Sequence, residues 1–128
     1  MNKRMLEKKI KFASQEELLF LLLNNTDFKF QQVIALWKDN NVEGTILAGK
    51  LIDNLLELKS TLNVDIAEGE MRKALVNIRE IYSFVIDEIY KSSLRKDYER
   101  LEKAHNLFLQ VKSVFDEDRR NIQKSKGI

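Results

Sequence analysis

One histidine stands among 128 residues, His105, and it limits what chemistry the chain could carry. Glu102 precedes it at the Glu-x-x-His spacing used by carboxylate-bridged di-iron bundles. Such a site needs a second Glu-x-x-His on another helix, and there is no second histidine. Arg100 lies five residues before His105, close enough in sequence for the guanidinium to hold a phosphodiester while the imidazole exchanges a proton. Charged amphipathic helices produce that spacing by chance, so it ranks as a minor alternative. Cysteine is absent, which removes disulfides, thiolate ligands and thiol nucleophiles. Glycine-rich phosphate loops, H-E-x-x-H and a nucleophile elbow are missing as well. The carboxylate pairs Glu16/Glu17 and Glu68/Glu70, and the run Asp116 to Asp118, have ordinary explanations at helix N-termini and on solvated faces. No catalytic residue, metal site or cofactor is expected.

The elements around these residues read as helices. Proline is absent and glycine occurs four times, while 44% of residues are hydrophobic and 33% charged. Ser14 and Glu17 form an S-x-x-E capping box, so the first helix is expected from Gln15 to Trp37 or Lys38. The stretch DNNVEG, Asp39 to Gly44, is the clearest turn signal. A second helix should start between Val42 and Thr45 and end near Leu62, with Leu51, Leu55 and Leu58 on one face. A third should span about Glu70 to Leu94 with Met71, Leu75, Ile78, Tyr82, Val85 and Ile89 in a stripe. Asp97 is placed to cap a fourth, marked by Leu101, Phe108, Val111 and Phe115. The expected fold is therefore an all-α, antiparallel four-helix bundle in a single domain spanning 1–128. Residues 1–13 would form a short N-terminal arm, and 119–128 a frayed basic tail.

Twenty-two basic and 20 acidic residues leave a formal charge of +2, interleaved along the chain. That is the pattern of a solvated helix surface, and no nucleic-acid partner is expected. The basic start followed by Leu18 to Leu23 resembles a signal peptide superficially. Glu16 and Glu17 interrupt it, however, and no stretch approaches the ~20 apolar residues needed to span a bilayer, so no membrane insertion is expected.

The six apolar residues from Leu18 to Leu23 pose a different problem. A helix turns about 100° per residue, so the run points apolar groups all round, and one core covers one face. The third helix is apolar over a similarly wide arc. Either the N-terminal arm folds back over the excess, or a second copy covers it, or a partner's amphipathic helices lie in a groove there. The residues expected to bind that partner are Leu19, Leu22, Ile52, Leu56, Tyr82 and Val85.

Three segments, in order, resemble one family. ASQEELLFLLLNNTDFKF (Ala13 to Phe30), LKSTLNVDI (Leu58 to Ile66) and IYSFVIDEIYKSSLRKD (Ile81 to Asp97) are similar to the FliS family of flagellin export chaperones, over most of the chain from Ala13 to about Glu117. The resemblance implies a cytoplasmic helical bundle that binds the disordered C-terminal segment of flagellin. It further implies that binding prevents premature polymerisation and keeps the subunit competent for the flagellar type III apparatus, with the export gate as a further partner. A monomer or weak homodimer is expected. Alternatives are a generic helical interaction or dimerisation module, a FliS-like paralogue with another client, and a HEPN-like ribonuclease using Arg100 and His105.

Overall fold

No glycine or proline occurs before Gly44, and nothing in the early sequence stops a helix. A computed structural model describes the backbone of residues 3–126 and the side chains of residues 16–119. Its first helix, α1, runs unbroken from Lys3 to Lys38. Three more follow: α2 (Glu43–Ser60), α3 (Gly69–Ser93) and α4 (Tyr98–Lys126). The expected all-α bundle of four helices is what forms. Two boundaries differ from expectation. Ser14 lies inside α1, so it does not cap a helix start, and residues 3–13 continue the helix instead of forming a separate arm. At the other end α4 continues to Lys126, past the expected onset of a tail at residue 119.

Each helix packs against two neighbours, in the ring α1–α2–α3–α4. The pairing is antiparallel: going down α1, Lys38 meets Glu102, Asp27 meets His105, and Phe20 lies beneath Arg119. Leu23, Phe30, Val33 and Trp37 of α1 meet Leu51, Leu55 and Leu58 of α2. Tyr82, Val85 and Ile89 of α3 and Leu101, Phe108 and Val111 of α4 complete the core. Burial pushes the Tyr82 hydroxyl pKa well above its ordinary value.

The turns explain the stops. Asn40 takes the left-handed conformation (φ 54°), the Asn41 N–H donates to the Leu36 carbonyl and the Asn40 N–H to that of Trp37. This is a Schellman motif, closed by one of the few non-glycine residues that tolerate positive φ. Lys96 (φ 52°) plays the same part between α3 and α4, where the Asp97 N–H donates to the Ser92 carbonyl. Asp97 then caps α4 as expected, its Oδ1 accepting from the Arg100 N–H at 3.1 Å. Lys96 Nζ donates to Asn40 Oδ1 at 2.8 Å and so ties the two turns together.

Candidate functional site

Helix α1 sorts the run Leu18 to Leu23 three ways. Phe20 and Leu23 turn into the core, Leu19 and Leu22 are half-buried on its flank, and Leu18 and Leu21 face outward at 57% and 61% exposure. One stripe further along, Phe28 is 55% exposed. Together with Glu57 and Thr61 of the α2 end, Leu18, Leu19, Leu21, Leu22 and Phe28 line an open groove of about 1030 Å³, rimmed by Glu16, Asn24 and Asn25. Its walls are mostly apolar, and its size suits helical side chains or a short amphipathic segment.

A polar clasp holds the groove's two helices in register. Asn54 Nδ2 donates to Asn25 Oδ1 at 3.1 Å and to Thr26 Oγ1 at 3.2 Å. Thr26, fully buried, donates in turn to the Leu22 carbonyl at 2.6 Å. Lys29 Nζ donates to Asn25 Oδ1 and, at 3.4 Å, to Asn54 Oδ1. Among the described residues no buried side-chain nitrogen or oxygen lacks a hydrogen-bond partner, which is the condition for a buried polar group such as the Thr26 hydroxyl to be tolerated.

Of the six residues expected at the partner surface, only Leu19 and Leu22 line this groove. Ile52 packs against the core, and Leu56 opens on the other side of α2, beside Leu62, Val64 and Arg79. Tyr82 (1% exposed) and Val85 (0%) are core residues, which corrects the expectation that a partner touches them. They share with Ile89 the one stripe of α3 that faces the bundle axis. Leu18, Leu21 and Phe28 were not expected individually, although their spacing of three and seven residues places them on one outward helical stripe.

Arg100 and His105 do not converge. Arg100 Nε donates to Glu88 Oε2 of α3 at 2.5 Å, with a second bond from its Nη2 to Glu88 Oε1 at 3.2 Å. That bidentate pair holds the Glu88 carboxyl below the usual carboxylate range. His105 turns toward α1 instead: Nε2 lies 2.7 Å from Asp27 Oδ1, and the ring stacks on Phe30 at 4.9 Å between centroids. The depression around Arg100 is walled by Glu88, Asp97, Glu99 and Lys103, and Glu88 already occupies the Arg100 guanidinium that a phosphate would need. Among the described residues no group of His, Cys, Asp and Glu is arranged to hold a metal ion, and no helix is long and apolar enough to cross a membrane.

The helical bundle thus carries an open apolar groove, while Arg100 and His105 are each held by a carboxylate of a different helix. The chain belongs to the FliS family: the family model described as flagellar protein FliS matches residues 1–122. Members of that family are flagellar export chaperones, not enzymes, and bind flagellin. No curated protein and no solved structure matched the chain.

Proposed function

We propose that this protein acts in the cytoplasm, its α1–α2 groove receiving the disordered C-terminal segment of flagellin. The bound segment is kept from polymerising, and the subunit is passed to the flagellar type III export apparatus, the export gate included. The observation that carries this is the outward stripe Leu18, Leu21 and Phe28, apolar groups more than half exposed along an open groove. Burying one such leucine contributes about 1.5–3 kcal/mol, so a client covering three of them gains enough to offset part of its own ordering entropy. A monomer, or a weak homodimer that opens for the client, suffices for this.

The test is a calorimetric titration with the C-terminal segment of the flagellin from the same source, with circular dichroism recorded alongside. One-to-one binding with a negative heat-capacity change and gained helicity is expected. Leu21→Asp, at an outward position, should weaken binding by about tenfold or more while the free protein keeps its helicity. A well-folded wild type that ignores the segment would mean a FliS-like bundle with another client. Normal binding by Leu21→Asp would move the docking surface elsewhere.

A further inference from the structure

The groove differs from the rest of the described surface in the sign of what borders it. Four other depressions each hold at least one base: Arg79 in one, Arg72 in the next, Lys103 in the third and Lys50 in the fourth. The α1–α2 groove is lined by two carboxylates, Glu16 and Glu57, and by no lysine or arginine, in a chain whose formal charge is +2. Its polar lining is otherwise amide and hydroxyl.

The carboxylates stand on both banks. Asn54 bonds to Asn25 across two antiparallel helices, so one turn further on Glu57 comes level with Leu22, and Thr61 a second turn on with Leu18. On α1, Glu17 shares the outward stripe of Leu21, Asn24 and Phe28, and Glu16 lies beside it. All three glutamates are exposed, and among the described residues none is paired with a base. Lys29, at the far end of the apolar stretch, gives its ammonium to Asn25 and Asn54. A negative field over wet apolar side chains therefore stays uncompensated until something cationic meets it.

Apolar walls between acidic banks define what fits. The stretch from Leu18 to Phe28 is roughly 15 Å long, so an occupant needs apolar side chains at i, i+3 or i+4 and i+7 over about three helical turns. The residues flanking that stripe then lie against the banks, where lysine or arginine is attracted and aspartate or glutamate repelled. Long basic side chains also lay their methylenes on apolar surface while the charge reaches a carboxylate. Resting on the reading of this groove as the client's seat, we propose that it selects by charge: it takes an amphipathic helix whose apolar stripe is bordered by lysine or arginine, and turns away one bordered by carboxylates. Leu18, Leu21 and Phe28 supply the affinity, and Glu16, Glu17 and Glu57 the discrimination and a faster approach.

The test is fluorescence anisotropy of two labelled helical peptides with the full chain. Both peptides carry the same leucine stripe, flanked by lysines in one and by glutamates in the other. The lysine peptide is expected to bind about tenfold or more tighter at about 0.05 M salt, with the ratio shrinking toward one near about 0.5 M. Glu16→Lys with Glu57→Lys should remove or reverse the preference. Asp65→Lys with Glu80→Lys, the same change of net charge away from the groove, should preserve it. All four positions are exposed, so the fold is not at stake. Equal binding of the two peptides, or a preference that the Glu16 and Glu57 reversals leave intact, overturns the proposal. So does a free protein that sediments as a dimer and ignores both peptides, which would put a second copy in the groove. If neither peptide binds while the flagellin segment does, charge selection fails and the client reading stands. If the lysine peptide binds with this preference and the flagellin segment does not, the selection stands and the client is another polypeptide.

Discussion

His105 commits both its ring face and a ring nitrogen to the bundle, against Phe30 and Asp27. Five residues along a helix leave two side chains roughly 140° apart about the axis, so Arg100 and His105 on one unbroken α4 cannot face the same substrate. Counted along the sequence in residues and not in angle, the pair stayed open as an alternative, and which carboxylate each would find was not legible, because Glu88 and Asp27 lie on other helices. The Arg100–Glu88 pair makes a pH prediction. Arg100 lowers the Glu88 pKa in the folded protein, chiefly by its hydrogen bond. A carboxyl with a depressed folded-state pKa contributes stability above its unfolded value of about 4, and loses it as pH falls through the lowered one. Thermal melts from neutral to acid pH should therefore show Glu88→Gln less stable than wild type near neutrality, with the gap closing as the medium turns acid. A gap that stays constant down the series would mean that the pair acts by packing and not by charge.

Two glycines on α2 look alike in sequence and differ in what they touch. A Cβ at Gly44 would stand 2.6 Å from Trp37 Cδ1 and 2.8 Å from its Nε1, and that ring is held in place by a 3.2 Å bond from Nε1 to Thr45 Oγ1. At Gly49 nothing lies within 4 Å. Replacing a helical glycine by alanine contributes up to about 1 kcal/mol from propensity, whereas overpacking costs about 1–3 kcal/mol. Gly49→Ala should accordingly raise the melting temperature and Gly44→Ala lower it, and two shifts of the same sign would refute the steric account. The helix count and the Asp39–Gly44 turn were readable because asparagine and glycine punctuate an otherwise uninterrupted helical pattern. The start of α1 was not: Ser14-x-x-Glu17 matches a cap, but a cap begins a helix only where something has ended the turn before it. The groove was half readable. A run of six apolar residues shows that some must face outward, and two of the residues named from it, Leu19 and Leu22, line the groove. Whether Tyr82 and Val85 faced a partner or the core depended on where α2 and α4 come to lie, which periodicity within α3 does not contain.

At the scale of the whole bundle, the two ends are built differently. The end holding the turns is locked by the Lys96–Asn40 bond, the Lys38–Glu102 ion pair at 3.0 Å and the seating of Gly44 on Trp37. The opposite end carries the eight-residue link between α2 and α3, from Thr61 to Glu68. It also leaves Ile66, Met71 and Val114 exposed. Local opening is easiest where few apolar contacts are buried, so amide exchange should be slowest around Val33, Leu51, Ile89 and Leu101 and faster toward Thr61 to Met71. A client seated in the groove covers Leu18 to Phe28 and the end of α2, and should slow exchange there while leaving the Asp39–Val42 turn unchanged. Exchange measured by mass spectrometry, with and without the flagellin segment, distinguishes this from general tightening. Protection gained equally at both ends would mean that the client stabilises the bundle as one unit, and that the groove is not where it binds.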